Sequence, residues 1–179
     1  MKHFFKLTCA AAVLTAGIIT LSSFNKAKKA TTSVDAYSIQ LLPTTESSRG
    51  AGNYEWTWVL TNPNPGNGEN GTLQNVSHFD IALNAVAEAA LVSAEYSFDG
   101  ITWVSVPIEM ERDPAIRACT GVDVLKFNAG TVGDQPTYYR ATFDQEFSAN
   151  PYATSWIKGG SRYGCNMAFF TGVGASSNN

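Results

Sequence analysis

Nine residues, Asn53 to Thr61, constrain this chain more than any other stretch: NYEWTWVLT sets Tyr54, Trp56, Trp58 and Leu60 in alternation with Glu55, Thr57 and Val59. Side chains of an extended strand point to opposite faces in turn, so one face carries two indoles, a phenol and a leucine. A face of that kind belongs at the centre of a core, and a core built on strands needs a second layer to cover it.

The rest of the chain supplies that layer. Ala36 to Leu42 alternates in the same way, with Tyr37, Ile39 and Leu41 on one side. Asn62 to Gly71, NPNPGNGENG, is a loop by its Asn, Pro and Gly content, and Asn70-Gly71 is the dipeptide of a tight turn. Asn75 to Asn84 reads as a strand with Phe79, Ile81 and Leu83 inward and Val76, His78 and Asp80 outward. Ala85 to Leu91 is either a helical turn capped by Asn84 or a bulged continuation of that strand. Val92–Phe98 and Ile101–Val106 flank Asp99-Gly100, a hairpin signal that sets Tyr96 opposite Trp103 and Ser97 opposite Thr102.

Pro107 to Gly121 is an excursion between strands, with room for one helical turn after Pro114. Val122 to Asn128 is the next strand. Pro136 to Ser148 reads as the longest strand, with Tyr139, Ala141, Phe143 and Phe147 inward and Tyr138, Arg140, Thr142, Asp144 and Glu146 on a wet face. Thr154–Lys158 and Cys165–Gly172 finish the domain, the last apolar on both faces and so expected to be central or covered. About eight strands with hardly any helical period predict an all-β protein: an antiparallel β-sandwich of immunoglobulin-like or jelly-roll type.

The N-terminus predicts export. Met1 to Lys6 is basic, Leu7 to Leu21 is small and apolar throughout, and Ser22 and Ser23 follow. The run is short for a bilayer span and has the order of a signal peptide over 1–23, with cleavage as late as residue 30. An uncleaved anchor helix is the alternative. Residues 24–34 are then a disordered linker, 35–173 the single sandwich domain and 174–179 a disordered tail. The mature chain has no stable membrane span, and its expected location is secreted, periplasmic or on the cell surface. Cys9 is lost with the signal, and the two cysteines left, Cys119 and Cys165, are expected to bond in an oxidising compartment.

Charge narrows the partners. Of 12 basic residues, Lys2, Lys6, Lys26, Lys28 and Lys29 precede Thr31 with no acid among them, so 7 remain against 15 acids, near −8. A body that acidic is a poor match for nucleic acid or anionic lipid. His78 is the only histidine beyond the signal region, which rules out a multi-histidine metal centre within one chain; no metal and no cofactor are expected. Ser77, His78 and Asp80 do not make a triad, because on a strand Ser77 points away from the other two. Asp144 and Glu146 are the best local carboxylate pair for a small secreted hydrolase.

Aromatic residues beyond the needs of the core are the remaining resource. Tyr152, Trp156 and Tyr163, near the C-terminal strands, are the candidate ligand-binding residues, since flat exposed rings stack on sugars or dock proteins. Several short pieces together also carry a resemblance: the Trp strand ending in LTNPNPG, the VSHFDIAL strand, Cys119-Thr120-Gly121 followed by VLKFNAG, and the late Gly164-Cys165 pair. In these the chain resembles secreted bacterial all-β surface domains of undefined activity. That resemblance implies an exported surface or matrix module and transfers no catalytic residue. The leading expectation is a non-enzymatic protein with a structural, adhesive or surface-interaction role, whose partner is a polysaccharide or another surface protein. A carbohydrate-binding module with an aromatic platform comes second, and the hydrolase third.

Overall fold

The computed structural model describes residues 37–43, 45–46, 52–110, 114–161 and 164–177. All of them belong to the second of the two units into which the chain divides, Thr32–Asn179. The expected signal peptide and linker lie outside the described residues, as does Tyr163.

The tryptophan strand forms as its alternation requires. It is β3, Tyr54–Thr61, and Trp56, Trp58 and Leu60 are buried on one face. β1 (Ser38–Leu41) and β2 (Thr45–Glu46) share one of its edges, and β8 (Thr137–Phe143) takes the other, with Trp58 opposite Tyr139. β5 (Leu91–Ser97) and β6 (Val104–Val106) complete a six-stranded sheet in the order β1-β3-β8-β5-β6, with β2 beside β3. The second sheet has four strands in the order β10-β9-β4-β7, formed by Cys165–Ser176, Phe147–Lys158, His78–Ile81 and Leu125–Phe127. Every pairing among these strands is antiparallel.

The two sheets face each other across one aromatic core. Trp58 of the first sheet lies 5.7 Å from Phe170 of the second, and Phe79 lies 4.9 Å from Tyr139, ring centre to ring centre. The polar ends of these rings are satisfied: Trp58 Nε1 donates to the Thr171 carbonyl at 2.9 Å, and Tyr139 Oη donates to the Ala129 carbonyl at 2.8 Å. Burial pushes the Tyr139 phenol well above its usual range, so it stays a donor at any physiological pH. Each fully buried aromatic ring contributes about 1.5–3 kcal/mol from area alone, which makes this layer the main support of the fold. The chain crosses between sheets at β3–β4, β4–β5, β6–β7, β7–β8 and β8–β9, while β2–β3, β5–β6 and β9–β10 are consecutive antiparallel pairs within a sheet. An all-β, antiparallel, two-sheet sandwich is thus the architecture.

Local chemistry explains the turns. Asn70 and Gly71 both have positive φ, 53° and 80°, and Thr72 N donates to the Glu69 carbonyl, so the expected Asn-Gly turn forms. Asn84 caps α1 (Ala85–Ala89), accepting from the Val86 and Ala87 amides, which decides between the two readings of that stretch. α2 (Pro114–Thr120) follows Pro114 as expected.

Several expectations need correction. The long strand over 136–148 is two strands in different sheets, and Asp144 and Glu146 sit exposed in the turn between β8 and β9, away from the Arg140 face. The Asp99-Gly100 hairpin is wider than expected. Tyr96 pairs with Val104, because Asp99 Oδ1 accepts from Ser97 Oγ and from the Ile101 and Thr102 amides and builds a longer turn. β10 is an edge strand although it is apolar on both faces, and it continues to Ser176, which pairs with Phe147. Ten strands appear among the described residues, against about eight expected: the two-residue β2 is additional, and the far end of 136–148 joins the expected Thr154–Lys158 strand in the single strand β9.

Candidate functional site

The outer face of the four-stranded sheet holds two regions of opposite character. The upper one is covered. Cys119 of α2 is bonded to Cys165 at the start of β10, which fastens the helix to the sheet. Trp156, on the outward side of β9, packs with Val124 beneath this cover, against Ala82 and the two cysteines. It is only 6% exposed. Its ring is therefore part of a small secondary core, and the stacking role expected for it is closed off by the disulfide-bound cover.

Asp80, whose cross-strand neighbours are Trp156 and Lys126, is 0% exposed rather than on a wet face. His78 Nδ1 lies 2.8 Å from Asp80 Oδ2 and 3.0 Å from Oδ1, so the ring donates to the carboxylate. Lys126 stands opposite Asp80 on β7. A buried carboxylate needs such partners, and these serve the fold. Ser77 Oγ donates to the Lys158 carbonyl at 3.0 Å and takes no part in the pair.

The lower region is open. β4 ends at Ile81, its last bond to β9 running from the Ala82 amide to the Thr154 carbonyl at 3.0 Å, and the chain then turns through Asn84 into α1. This departure ends the β4 pairing of β9 short of Ser148 to Ala153, which keep β10 on their other side, and a groove of about 590 Å³ lies there. Its walls are residues 82–84, 148–154 and 173–175. Volumes of about 300–1,000 Å³ are ordinary for ligand clefts. No charged side chain lines it, on a body with a large excess of acid.

A bulge aims the main side chain of this groove. Asn150 pairs with Gly172 and Ala153 with Phe170, so Pro151 and Tyr152 together oppose the single residue Thr171. Proline has no N–H to give a ladder, and a bulge beside a missing strand is where a sheet interior tolerates it. Asn150 Oδ1 accepts from the Tyr152 amide at 3.0 Å and fixes the bend. Tyr152 is thrown outward to 76% exposure. On the adjacent strand Phe169, opposite Thr154, is 56% exposed and Met167, opposite Trp156, is 52% exposed.

The other sheet's outer face has a different character at Arg140. Arg140 donates to Glu95 through Nε at 2.9 Å and through Nη2, its Nη1 is 3.6 Å from Glu55 Oε1, and its guanidinium lies 3.9 Å from the Trp103 ring centre. The face expected to be wet is a closed ion-pair cluster roofed by Trp103. Phe98, Ile101 and Val104 are exposed on the β5–β6 turn, and a smaller hollow of about 190 Å³ there is lined by Tyr96, Ser97, Phe98, Asp99, Thr102 and Val104. Hydrogen bonds from the Thr102 and Ile101 amides and from Ser97 hold the Asp99 carboxyl well below the usual range.

Of the three aromatic candidates, Tyr152 lies in the open groove, Trp156 lies under the disulfide, and Tyr163 is outside the described residues. Sequence reasoning missed Phe169 and Asn150. An apolar run in β10 gives no sign that the strand is at an edge, and Asn150-Pro151, falling between the expected strands 136–148 and 154–158, reads as a break in the chain rather than as a bulge within one strand. Among the described residues no group of three or more His, Cys, Asp or Glu converges to hold a metal ion, and no helix is long and apolar enough to cross a membrane. No family model matches the chain, and no curated protein matches it.

Proposed function

We propose that this protein is an exported, non-enzymatic β-sandwich with a structural, adhesive or surface-interaction role, and that it meets its partner with the outer face of the β9–β10 hairpin. The observation that carries this reading is the concentration of exposed Tyr152, Phe169 and Met167 on one hairpin, beside an uncharged groove. Exposed rings of that size on a rigid sheet form a contact surface at little entropic cost. The Cys119–Cys165 bond supports an oxidising location. The lining of the groove offers no carboxylate for acid–base work, which favours binding over the hydrolase alternative.

The test is a binding isotherm of the fluorescently labelled protein on bacterial cell-envelope preparations. Saturable binding is expected, and it should fall at least about tenfold in the Tyr152→Ala/Phe169→Ala double variant. Equal binding by both proteins would remove the hairpin face from the function.

A further inference from the structure

Resting on that surface-recognition reading, we infer that the groove beside Tyr152 is a subsite for a neutral polysaccharide. Three features select this class of ligand. The lining of the groove has no charged side chain, so neither an anionic nor a cationic ligand would find a counter-charge there. A neutral chain of hydroxyl groups meets no penalty from the acidic body around it.

The polar groups present are of the right kind and in the right state. Among the described residues, Asn150 spends its Oδ1 on the Tyr152 amide and leaves its side-chain NH₂ without a partner, at the foot of an exposed phenol. Thr154 adds a hydroxyl on the same wall. A sugar ring presents an apolar C–H face to an aromatic ring and hydroxyls at its edge, and Tyr152 with Asn150 answers both halves of that description. Phe169, two residues along the same face on the neighbouring strand, extends the platform beyond one sugar unit.

The competing occupant of an uncovered strand edge is an extended peptide adding a strand. Such pairing needs a run of free backbone N–H groups. Pro151 has none, and the Tyr152 N–H is already held by Asn150. The bulge that exposes Tyr152 therefore also spoils the edge as a template for β-pairing, and the same two residues that block a peptide favour a glycan.

The experiment uses the purified protein in affinity electrophoresis through hydroxyethyl cellulose, glucomannan and dextran, with polygalacturonate as the charged control, followed by calorimetry with oligosaccharides of whichever chain retards it. Retardation by at least one neutral polysaccharide and not by polygalacturonate is expected. Tyr152→Ala should weaken binding by about tenfold or more, while Tyr152→Phe, which keeps the ring face, should stay within about threefold. Asn150→Asp, which preserves the acceptor for the Tyr152 amide and removes the donor, should weaken it by about threefold or more. Unchanged melting temperatures in all three variants separate lost binding from lost fold.

No retardation by any neutral polysaccharide, retardation by polygalacturonate alone, or unaltered binding by Tyr152→Ala would overturn the inference. Envelope preparations treated with periodate or with protease tell its failure from that of the reading beneath it. Binding destroyed by periodate and resistant to protease supports a glycan. Binding destroyed by protease and indifferent to periodate overturns the glycan and keeps a protein-recognition surface. Absence of binding to untreated envelopes overturns both.

Discussion

Tyr152 and Trp156 lie four residues apart on β9 and point to the same side of the sheet, yet one ring is exposed and the other is buried under α2. Their substitutions should therefore separate function from stability. Trp156→Ala removes a buried indole from a small cluster that cannot refill the space, and a loss of about 3 kcal/mol is expected in urea unfolding. Tyr152→Ala should change stability by no more than about 0.5 kcal/mol, its cost falling on binding instead. A destabilised Tyr152 variant would mean that the phenol serves the fold. Asp99 offers a residue-level test by pH. Its folded pKa lies below the unfolded value of about 3.9, so its stabilising share is complete above that pH and is lost as pH falls below it. Asp99→Asn should melt lower than the parent at pH 7, and the gap should narrow progressively as pH is lowered from about 4 toward 2.5. A gap constant with pH would show that the carboxylate charge plays no part in the turn.

Elements differ in what anchors them. α1 has its N-cap in Asn84, whose Oδ1 takes two amides while its Nδ2 donates to the Gly174 carbonyl at 2.9 Å, tying the helix to β10. α2 has seven residues, too few to hold a helix in isolation, and is secured by its disulfide to β10. The bond closes a loop of 46 residues, and removing it as Cys119→Ala/Cys165→Ala should cost about 4 kcal/mol in the chain-entropy model. The loss should be local in its first effect: hydrogen exchange is expected to rise in α2 and around Val124 before it rises in β3 or β8. Simultaneous loss of protection in both sheets would make the disulfide a support of the whole core. Sequence signals for these elements were uneven for physical reasons. Asn84 and Pro114 act on their immediate neighbours, so a helical turn was legible after each, although at Asn84 a bulged continuation of the strand fitted the sequence equally. The break at Asp144–Glu146 could not, because Phe143 and Phe147 are both buried and keep the inward period across a turn that changes sheets.

At the scale of the whole molecule, the inner faces were legible and the outer faces were not. An inward face follows the period of its own strand, so Trp56, Trp58, Phe79, Ile81 and Tyr139 could be placed in the core from alternation alone. What covers an outer face depends on chain arriving from elsewhere: α2 over Trp156 and Trp103 over Arg140, while Tyr152 stays exposed among the described residues. Period-2 reasoning makes all three of these faces equally wet, and only the tertiary route of the excursions distinguishes them. The result is a sandwich whose β9-edge groove is lined without charge, which bears on how binding should respond to salt. Contacts made by rings, amides and hydroxyls carry no counter-ions to release, unlike phosphate-type recognition, whose affinity falls steeply with salt. Affinity for a neutral polysaccharide should accordingly change by less than about twofold between 50 and 500 mM NaCl, as read by calorimetry. A steep decline with salt would place the contact on the acidic surface outside the groove, since within it there is no charge to screen.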